Sequence, residues 1–376
     1  MAGEGKGEGL TRRQVLKGGA AALAIAALGA GCGRAGGARK ETGMIVQTKL
    51  PRWRGFNIHN LFAVDHYSAY EESDFQWVAD WGFDFVRLAV SHVWAMRGDD
   101  AYAPNEQGLA EIDRGIELAR KYRLHANLDM HTAPGYAYHE SQMRGARDLW
   151  KDEATQDGFA HLWRAFAERY RDIPSTELSF NILNEPAARI GRMSAEEHAR
   201  VIGKAVRAIR EVSPERLIIA DGVEWASRPA FELVDLGVAQ SYHFYAPHTL
   251  THYRAEWAGP EAMRWPEPVW PGQRQGEETW DRSRLEREFA PWLELIERGV
   301  GVHAGEGGVY NKTPHAVALG WLRDTLEMLK GHNVGYALWN LRGPFGVLDS
   351  ERADVDYEDF HGHKLDRKML ELLQSV

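Results

Sequence analysis

The sequence contains almost no cysteine: of its 376 residues, only Cys32 carries a thiol. A single thiol excludes an intrachain disulfide, and its position near the N-terminus argues against a cysteine nucleophile or a zinc–thiolate site in the folded domain. The chain also lacks an excess of basic residues, because 45 Lys and Arg face 54 Asp and Glu. The resulting net charge of -9 excludes the electrostatic footprint of a nucleic-acid-binding protein, so no nucleic-acid partner is expected.

Long apolar runs are also missing, and the run at residues 18–31 is too short to span a bilayer as a helix. It follows the pair Arg12-Arg13 in a context that resembles a twin-arginine export signal. It ends with the letters LGAGC at Cys32, which resemble a bacterial lipoprotein box. These features predict a segment that directs export, with Cys32 as a candidate lipid anchor.

The chain is therefore predicted to have three parts: a twin-arginine export signal with a lipobox-like end over residues 1–32, a flexible tether over 33–46 and one folded domain over 47–376. We expect an exported bacterial protein that works in the periplasm, as a lipoprotein at the membrane, or outside the cell. Whether Cys32 is lipidated or removed stays open at this point. The protein is expected to be a monomer.

The folded domain alternates short apolar strands with amphipathic helices. The helices are indicated by patterns such as Leu109, Ile112 and Ile116 on one face, and by a capping box of Ser194 with Glu197. About eight of each element in one domain predict an α/β fold, a single (β/α)8 TIM barrel. A doubly wound open sheet is the alternative, but no Gly-rich phosphate loop follows the first strand. The predicted strands are 54–58, 83–90, 125–132, 178–183, 217–220, 238–245, 300–306 and 334–339.

The connection after the sixth strand, residues 246–282, is unusually long. Loops of this length in a compact domain are functional or disordered, and disordered segments are poor in tryptophan. We therefore predict an ordered lid or cleft wall, with a satellite hydrophobic cluster packed on the barrel as the alternative. Its tryptophans are Trp257, Trp265, Trp270 and Trp280.

Polar and aromatic side chains stand where the predicted strands end. Because parallel barrel strands deliver their carboxyl ends to one face, we expect these side chains to meet in one site. Any one of these side chains could be a core residue whose polar groups are hydrogen-bonded. Their joint placement at strand ends favours a functional site. They are Arg87, His131, Asn184, Glu185, His243, Tyr245, Glu306 and Trp339.

Glu185 and Glu306 form a pair of carboxyls that suits cleavage of a glycosidic bond. One must be protonated to donate to the leaving oxygen and the other ionised to attack the anomeric carbon, so their surroundings must separate their pKa values. Asn184 is placed to hydrogen-bond a sugar hydroxyl beside Glu185. Neighbouring glycines at Gly305, Gly307 and Gly308 are expected to leave room for a sugar ring.

Three further side chains fit supporting roles. Arg87 and Tyr245 can hold Glu306 ionised and oriented, through opposite charge and a hydrogen bond to the charged form. His243 can position or relay the proton of Glu185.

This set, with the tripeptide Asn184-Glu185-Pro186 and the pair His243 and Tyr245, resembles glycoside hydrolase family 5, the cellulase-type barrels of clan A. The resemblance covers the chain from about Leu50 to its C-terminus. It implies Glu185 as acid/base, Glu306 as nucleophile and Trp339 as a platform that stacks a sugar. It also implies retention of anomeric configuration, which requires carboxyls about 5 to 5.5 Å apart.

The resemblance implies a retaining β-glycoside hydrolase that acts by double displacement on a polysaccharide or oligosaccharide, chiefly as an endo-β-1,4-glucanase, without a cofactor. A β-mannanase or an exo-β-1,3-glucanase on the same scaffold is the alternative, because loop residues set the specificity. The 16 histidines suggest a metal-dependent hydrolase as a further alternative. However, His361 and His363 lie beyond the last strand, so no metal is expected. A non-catalytic carbohydrate-binding protein is disfavoured because both carboxyls are present.

Overall fold

The structure is a computed structural model that describes residues 49–63, 65–138, 147–186 and 193–376. The predicted export signal, Cys32 and the tether lie outside the described residues. Within those ranges, no helix is long and apolar enough to cross a membrane.

Within the described ranges, eight parallel strands close into a barrel. The strands are β1 (Arg54–Leu61), β2 (Phe85–Ser91), β3 (His125–Ala133), β4 (Leu178–Asn181), β5 (Ile218–Asp221), β6 (Ala239–Phe244), β7 (Val302–Gly307) and β8 (Tyr336–Leu338). The order around the sheet is β2-β1-β8-β7-β6-β5-β4-β3, and closure comes from a further pairing of β2 with β3, in which Phe85 lies opposite His125. The predicted (β/α)8 TIM barrel is confirmed.

Most strand connections contain a long helix, as the barrel pattern requires. The connection between β5 and β6 differs, because it contains only the short helix Val223–Ala226 and the 3-10 helix Phe231–Leu236. The other helices are α1 (Glu72–Asp80), α2 (Glu106–Lys121), α3 (Glu153–Arg169), α4 (Ala195–Val212), α5 (Arg282–Glu297), α6 (His315–Gly331) and α7 (Arg367–Ser375).

Helix α4 shows how local sequence sets an element. The Ser194 hydroxyl accepts the Glu197 N–H at 3.2 Å, and the Glu197 carboxylate accepts the Ser194 N–H at 2.9 Å, so the predicted capping box is present. Ile202, Val206 and Ile209 lie three or four residues apart and are all buried. The cap starts the helix and the apolar stripe holds it on the barrel.

The amino-terminal end of the barrel interior is filled with rings. Trp53 stacks on His125 with ring centroids 3.8 Å apart, and Phe85 packs on His303 at 4.6 Å. Burial lowers the pKa of His125 to about 4 and that of His303 to about 3, so both histidines are neutral core residues. Charged side chains are instead found toward the carboxyl end of the barrel.

The long segment after β6 combines both predicted interpretations. Trp280 is buried beneath the Arg284 guanidinium, and the Trp270 indole donates to Asp324 of α6 at 2.8 Å, so these two rings pack on the barrel. Trp257, in contrast, is half-exposed. The segment contains the helices His248–Thr251, Glu256–Ala258 and Ala262–Arg264 and the hairpin of Gln273–Gln275 with Glu278–Trp280.

Small additions decorate the other loops. The 3-10 helix His92–Trp94 and a hairpin follow β2, Tyr136–Ala137 pairs back onto β3, and a second hairpin precedes α7. The hairpins are Met96–Arg97 with Asp100–Pro104 and Glu358–Phe360 with His363–Leu365.

Candidate active site

Glu185 lies beyond the carboxyl end of β4, where its backbone has a φ of +48°. A non-glycine residue adopts this left-handed conformation only when its surroundings determine it. Its N–H donates to Asp221 Oδ2 at 3.0 Å, and its carbonyl accepts the Tyr136 hydroxyl at 2.5 Å. These two bonds fix the backbone that carries the carboxyl.

His243, at the end of β6, lies between two carboxyl groups. Its Nδ1 is 2.9 Å from Glu185 Oε1 and its Nε2 is 3.1 Å from Asp221 Oδ2. Burial alone would lower the pKa of His243, but the charges of Asp221 and Glu306 raise it to about 10. The imidazole is therefore charged near neutral pH, so Nδ1 donates to Glu185 while the Nε2 side forms an ion pair with Asp221.

The Glu185 carboxyl is adapted to keep a proton. Burial raises its pKa to about 7, a hydrogen bond from His243 opposes this change, and the charge of Glu306 adds to it. Because Oε1 accepts from His243, the proton is left for Oε2. Glu185 can therefore donate a proton below about pH 7.

Glu306, on β7, has different surroundings. Arg87 Nη1 donates to its Oε2 at 2.9 Å, and the Tyr245 hydroxyl donates to its Oε1 at 2.9 Å. The bond from Arg87 is charge-assisted, because its donor is a guanidinium. Arg87 and Tyr245 together orient the Glu306 carboxyl.

Arg87 is fully buried and organises the polar layer around it. Burial opposes the charge of the guanidinium, but the surrounding carboxylates, Asp129 first, raise its pKa. Its contacts besides Glu306 are Nε to Asn181 Oδ1 at 2.8 Å, Nη1 to Asn57 Oδ1 at 3.0 Å, and Nη2 to Asn184 Oδ1 at 2.8 Å, Asp129 Oδ1 at 3.0 Å and Asp221 Oδ2 at 3.5 Å.

His131 and Trp339 lie together at the mouth of the barrel. Their rings stack with centroids 5.4 Å apart, and Phe62 meets both rings edge-on. His131 Nδ1 is 2.8 Å from Asp129 Oδ2, and burial lowers the pKa of His131 to about 3. The histidine is therefore neutral and helps to fix the tryptophan that the sequence singled out.

The predicted site residues thus meet in one place, and nitrogen or oxygen atoms of Glu185, His243 and Glu306 lie within 4.8 Å of one another. One oxygen of the Glu185 carboxyl therefore lies within 4.8 Å of one oxygen of the Glu306 carboxyl, so both groups can reach the same glycosidic bond. The same three residues are of metal-ligand type, but charged His243 and the guanidinium of Arg87 already supply the positive charge.

The histidine pair near the C-terminus has other contacts. His363 Nδ1 is 2.8 Å from Asp349 Oδ2, while His361 stacks on Trp77 of α1. The pair therefore packs against an outer helix of the barrel.

Sequence reasoning missed several residues of this layer. Asp221 is the last residue of β5, and the strand-end rule that selected the other residues would have selected it too. Asp129, two residues before His131, is the only acidic residue of β3, and a carboxylate inside a buried strand is a second usable signal. The remaining two, Asn57 and Asn181, lie inside predicted strands and carry no charge, so neither signal selects them.

The expected role of the glycines around Glu306 is wrong. A Cβ at Gly305 would clash with the Ser241 side chain, and one at Gly307 would clash with the Phe244 ring. A Cβ at Gly308 would lie 2.6 Å from the carbonyl oxygen of Trp339. These glycines permit close packing of β7 against β6 and β8, so they are not kept free for a sugar.

The turn after β5 exposes another aromatic ring that the sequence did not reveal. Glu224, Trp225 and Ala226 have φ values of +54°, +56° and +56°, in a region that costs a non-glycine residue roughly 1–2 kcal/mol. Trp225 is 43% exposed. Such strain accumulates at functional sites, and this turn directly follows Asp221.

A pair of carboxyls in unequal surroundings, at the carboxyl face of a (β/α)8 barrel, defines a glycosidase that hydrolyses glycosidic bonds. The family model described as cellulase, glycosyl hydrolase family 5, matches residues 40–343, and the chain belongs to this family.

Relatives and solved structures agree. Endoglucanase C of Acetivibrio thermocellus is 27% identical over 326 residues, which cover 80% of this chain and 92% of the relative. Cellodextrinase A of Ruminococcus flavefaciens is 26% identical over 308 residues, or 78% of this chain and 84% of the relative. A crystal structure of a glycoside hydrolase superposes with a TM-score of 0.82 at 34% identity, covering 86% of this chain and 99% of that one.

Proposed function

We propose that the protein is a retaining endo-β-1,4-glucanase in which Glu185 is the acid/base and Glu306 the nucleophile. The observation that carries this assignment is the unequal environment of the two carboxyls. Burial raises the pKa of Glu185 to about 7, whereas Glu306 accepts hydrogen bonds from Arg87 and Tyr245.

In the first step, a Glu306 oxygen attacks the anomeric carbon while Glu185 Oε2 gives its proton to the glycosidic oxygen. The carbon–oxygen bond breaks, the shortened glycan leaves and a glycosyl ester forms on Glu306. His243 then faces an ionised Glu185, and its charge stabilises that carboxylate.

In the second step, the Glu185 carboxylate takes a proton from water, which attacks the anomeric carbon and releases Glu306. The two inversions together retain the configuration. The proton gained by Glu185 restores the starting state.

Asn184 and Trp339 supply the contacts to the sugar at the cleavage point. Asn184 Oδ1 is occupied by Arg87, and within the described ranges its Nδ2 has no hydrogen-bond partner. That buried donor suits a sugar 2-hydroxyl, an interaction that strengthens in the transition state. The partly exposed ring of Trp339, fixed by His131, suits stacking of a pyranose.

The preference for β-1,4-glucan is supported by the endoglucanase relative, of which this chain covers 92%. The similarity to a cellodextrinase favours, as a second candidate, release of units from short cello-oligosaccharides. β-Mannanase and exo-β-1,3-glucanase activities remain the substrate alternatives.

The test is sugar release from carboxymethyl cellulose, lichenan, mannan and laminarin. An endoglucanase lowers the viscosity of carboxymethyl cellulose long before reducing ends accumulate, whereas an exo-acting enzyme does the reverse. Glu306→Ala should remove nearly all activity. Glu185→Ala should retain far more activity on aryl glycosides with good leaving groups than on glucan. Equal loss on both substrate types would contradict the assigned roles. Hydrolysis of mannan or laminarin alone would show that this glycan, and not β-1,4-glucan, is the substrate.

Export through the twin-arginine pathway, with Cys32 as a lipid anchor, remains part of the proposal, as does a monomeric state. The sequence context of Arg12-Arg13 supports the export, and that of Cys32 supports the lipid anchor. Light scattering of the purified protein tests the monomeric state.

A further inference from the structure

The insertion after β6 leaves one aromatic ring half in solvent. Trp257 lies on the 3-10 helix Glu256–Ala258 and is 50% exposed. The same insertion packs Trp280 and Trp270 against the barrel, so it is able to cover its aromatic rings. An uncovered indole forfeits a large part of the burial free energy of its apolar surface. Its exposure therefore suggests a ligand.

Trp257 is connected to the catalytic centre by a continuous row of rings. It meets Tyr310 at right angles, with centroids 4.7 Å apart, and Phe345 at 6.2 Å. Phe345 in turn lies 6.3 Å from Tyr245, whose hydroxyl donates to Glu306. Loops after β6, β7 and β8 thus build one aromatic wall that leads from the nucleophile to Trp257.

The base of this wall is held by hydrogen bonds between loops. The Tyr310 N–H donates to the Thr251 carbonyl at 2.9 Å, and the Thr313 hydroxyl donates to the Leu250 carbonyl at 2.5 Å. These bonds tie the start of the insertion to the loop after β7. The wall is consequently preorganised, and a ligand bound there does not have to order it.

We propose that Trp257 forms a sugar-binding subsite distinct from that at Trp339, on which one pyranose of a β-linked glucan chain stacks. A pyranose with equatorial substituents presents a flat face of C–H groups, which matches an exposed indole face, and keeps its hydroxyls in water at the ring edge. Two ring-to-ring steps, of 6.3 and 6.2 Å, separate Tyr245 from Trp257. The subsite therefore serves sugars away from the cleaved bond. This inference rests on the proposed glucanase function.

The experiment compares full-length wild type with Trp257→Ala, Trp257→Phe and a control, Met263→Ala. Met263 is on the same insertion and is 48% exposed. The readout is the ratio of kcat/KM for cellohexaose to that for an aryl β-cellobioside. We expect Trp257→Ala to lower this ratio about tenfold, equivalent to roughly 1.4 kcal/mol. Trp257→Phe should retain most of it, and Met263→Ala should keep the wild-type ratio.

An unchanged ratio in Trp257→Ala, whether both rates fall together or neither falls, would overturn the subsite. A second measurement separates this outcome from failure of the glucanase proposal. In the Glu306→Gln background, binding of cellohexaose and mannohexaose is measured by calorimetry with and without Trp257→Ala. Weaker binding of either hexaose in the double variant supports the subsite even if glucan is not hydrolysed. Equal binding of both overturns it.

Discussion

At the scale of single residues, the two glutamates of the site differ in what contacts them. Glu185 faces charged His243 and keeps its proton because burial raises its pKa to about 7. Glu306 faces a guanidinium and a phenol hydroxyl, which both donate to it. Activity that needs protonated Glu185 should therefore be complete below its pKa and fall as the pH rises through about 7.

Asp221 should control, through His243, the pH at which activity falls on the basic side. Asp221→Asn removes the first of the charges that raise the pKa of His243, so the imidazole becomes neutral nearer to neutral pH. The hydrogen bond from His243 lowers the pKa of Glu185 more than the charge of Asp221 raises it. We therefore expect the basic limb of kcat/KM to move to higher pH while kcat falls about 10- to 100-fold.

Profiles of kcat/KM against pH for Asp221→Asn and His243→Gln, alone and combined, check this. If Asp221 acts through His243, the basic limb of kcat/KM in the double variant should lie close to that of His243→Gln alone. A lower kcat with an unmoved limb would reduce Asp221 to a structural support.

At the scale of elements, strand β7 carries Glu306 between closely packed neighbours. Gly307→Ala would drive a Cβ into the Phe244 ring of β6, whereas a Cβ at Gly331, at the end of α6, would have nothing within 4 Å. We expect Gly307→Ala to lower the free energy of unfolding by roughly 1–3 kcal/mol because the strand pair is overpacked.

Urea denaturation of both variants tests this expectation. Gly331→Ala is the matched control and should be neutral or slightly stabilising, since alanine restricts the unfolded chain. Equal stability of the two variants would mean that β7 shifts freely, and the packing role of Gly307 would be wrong.

At the scale of elements, too, sequence patterns predicted some features better than others. The α4 cap and stripe depend on residues three or four apart, so they are visible in the sequence. The left-handed turn at Glu224, Trp225 and Ala226 is not, because none of these residues favours that backbone.

At the scale of the whole molecule, the N-terminal sequence predicts where the enzyme works. Replacing both Arg12 and Arg13 by Lys should keep the protein in the cytoplasm, because the twin-arginine signal is lost. Cys32→Ala should leave export intact and move the protein from the membrane to the soluble fraction, because the anchoring thiol is gone.

Cell fractionation with mass spectrometry of the mature N-terminus measures both effects. Export of the double Lys variant would contradict the signal. Membrane association of Cys32→Ala would contradict the anchor.

The sequence alone determined the barrel, because local hydrophobic periodicity identifies the strands and helices, and their alternation allows few topologies. It also placed the chemistry, since strand ends of a parallel barrel share one face. Only the tertiary structure decided what each group experiences there. Asp221 meets Glu185 and His243, and the glycines beside Glu306 meet β6 and β8, through contacts between residues far apart in the chain. Burial and charge act through space, so no local pattern contains them.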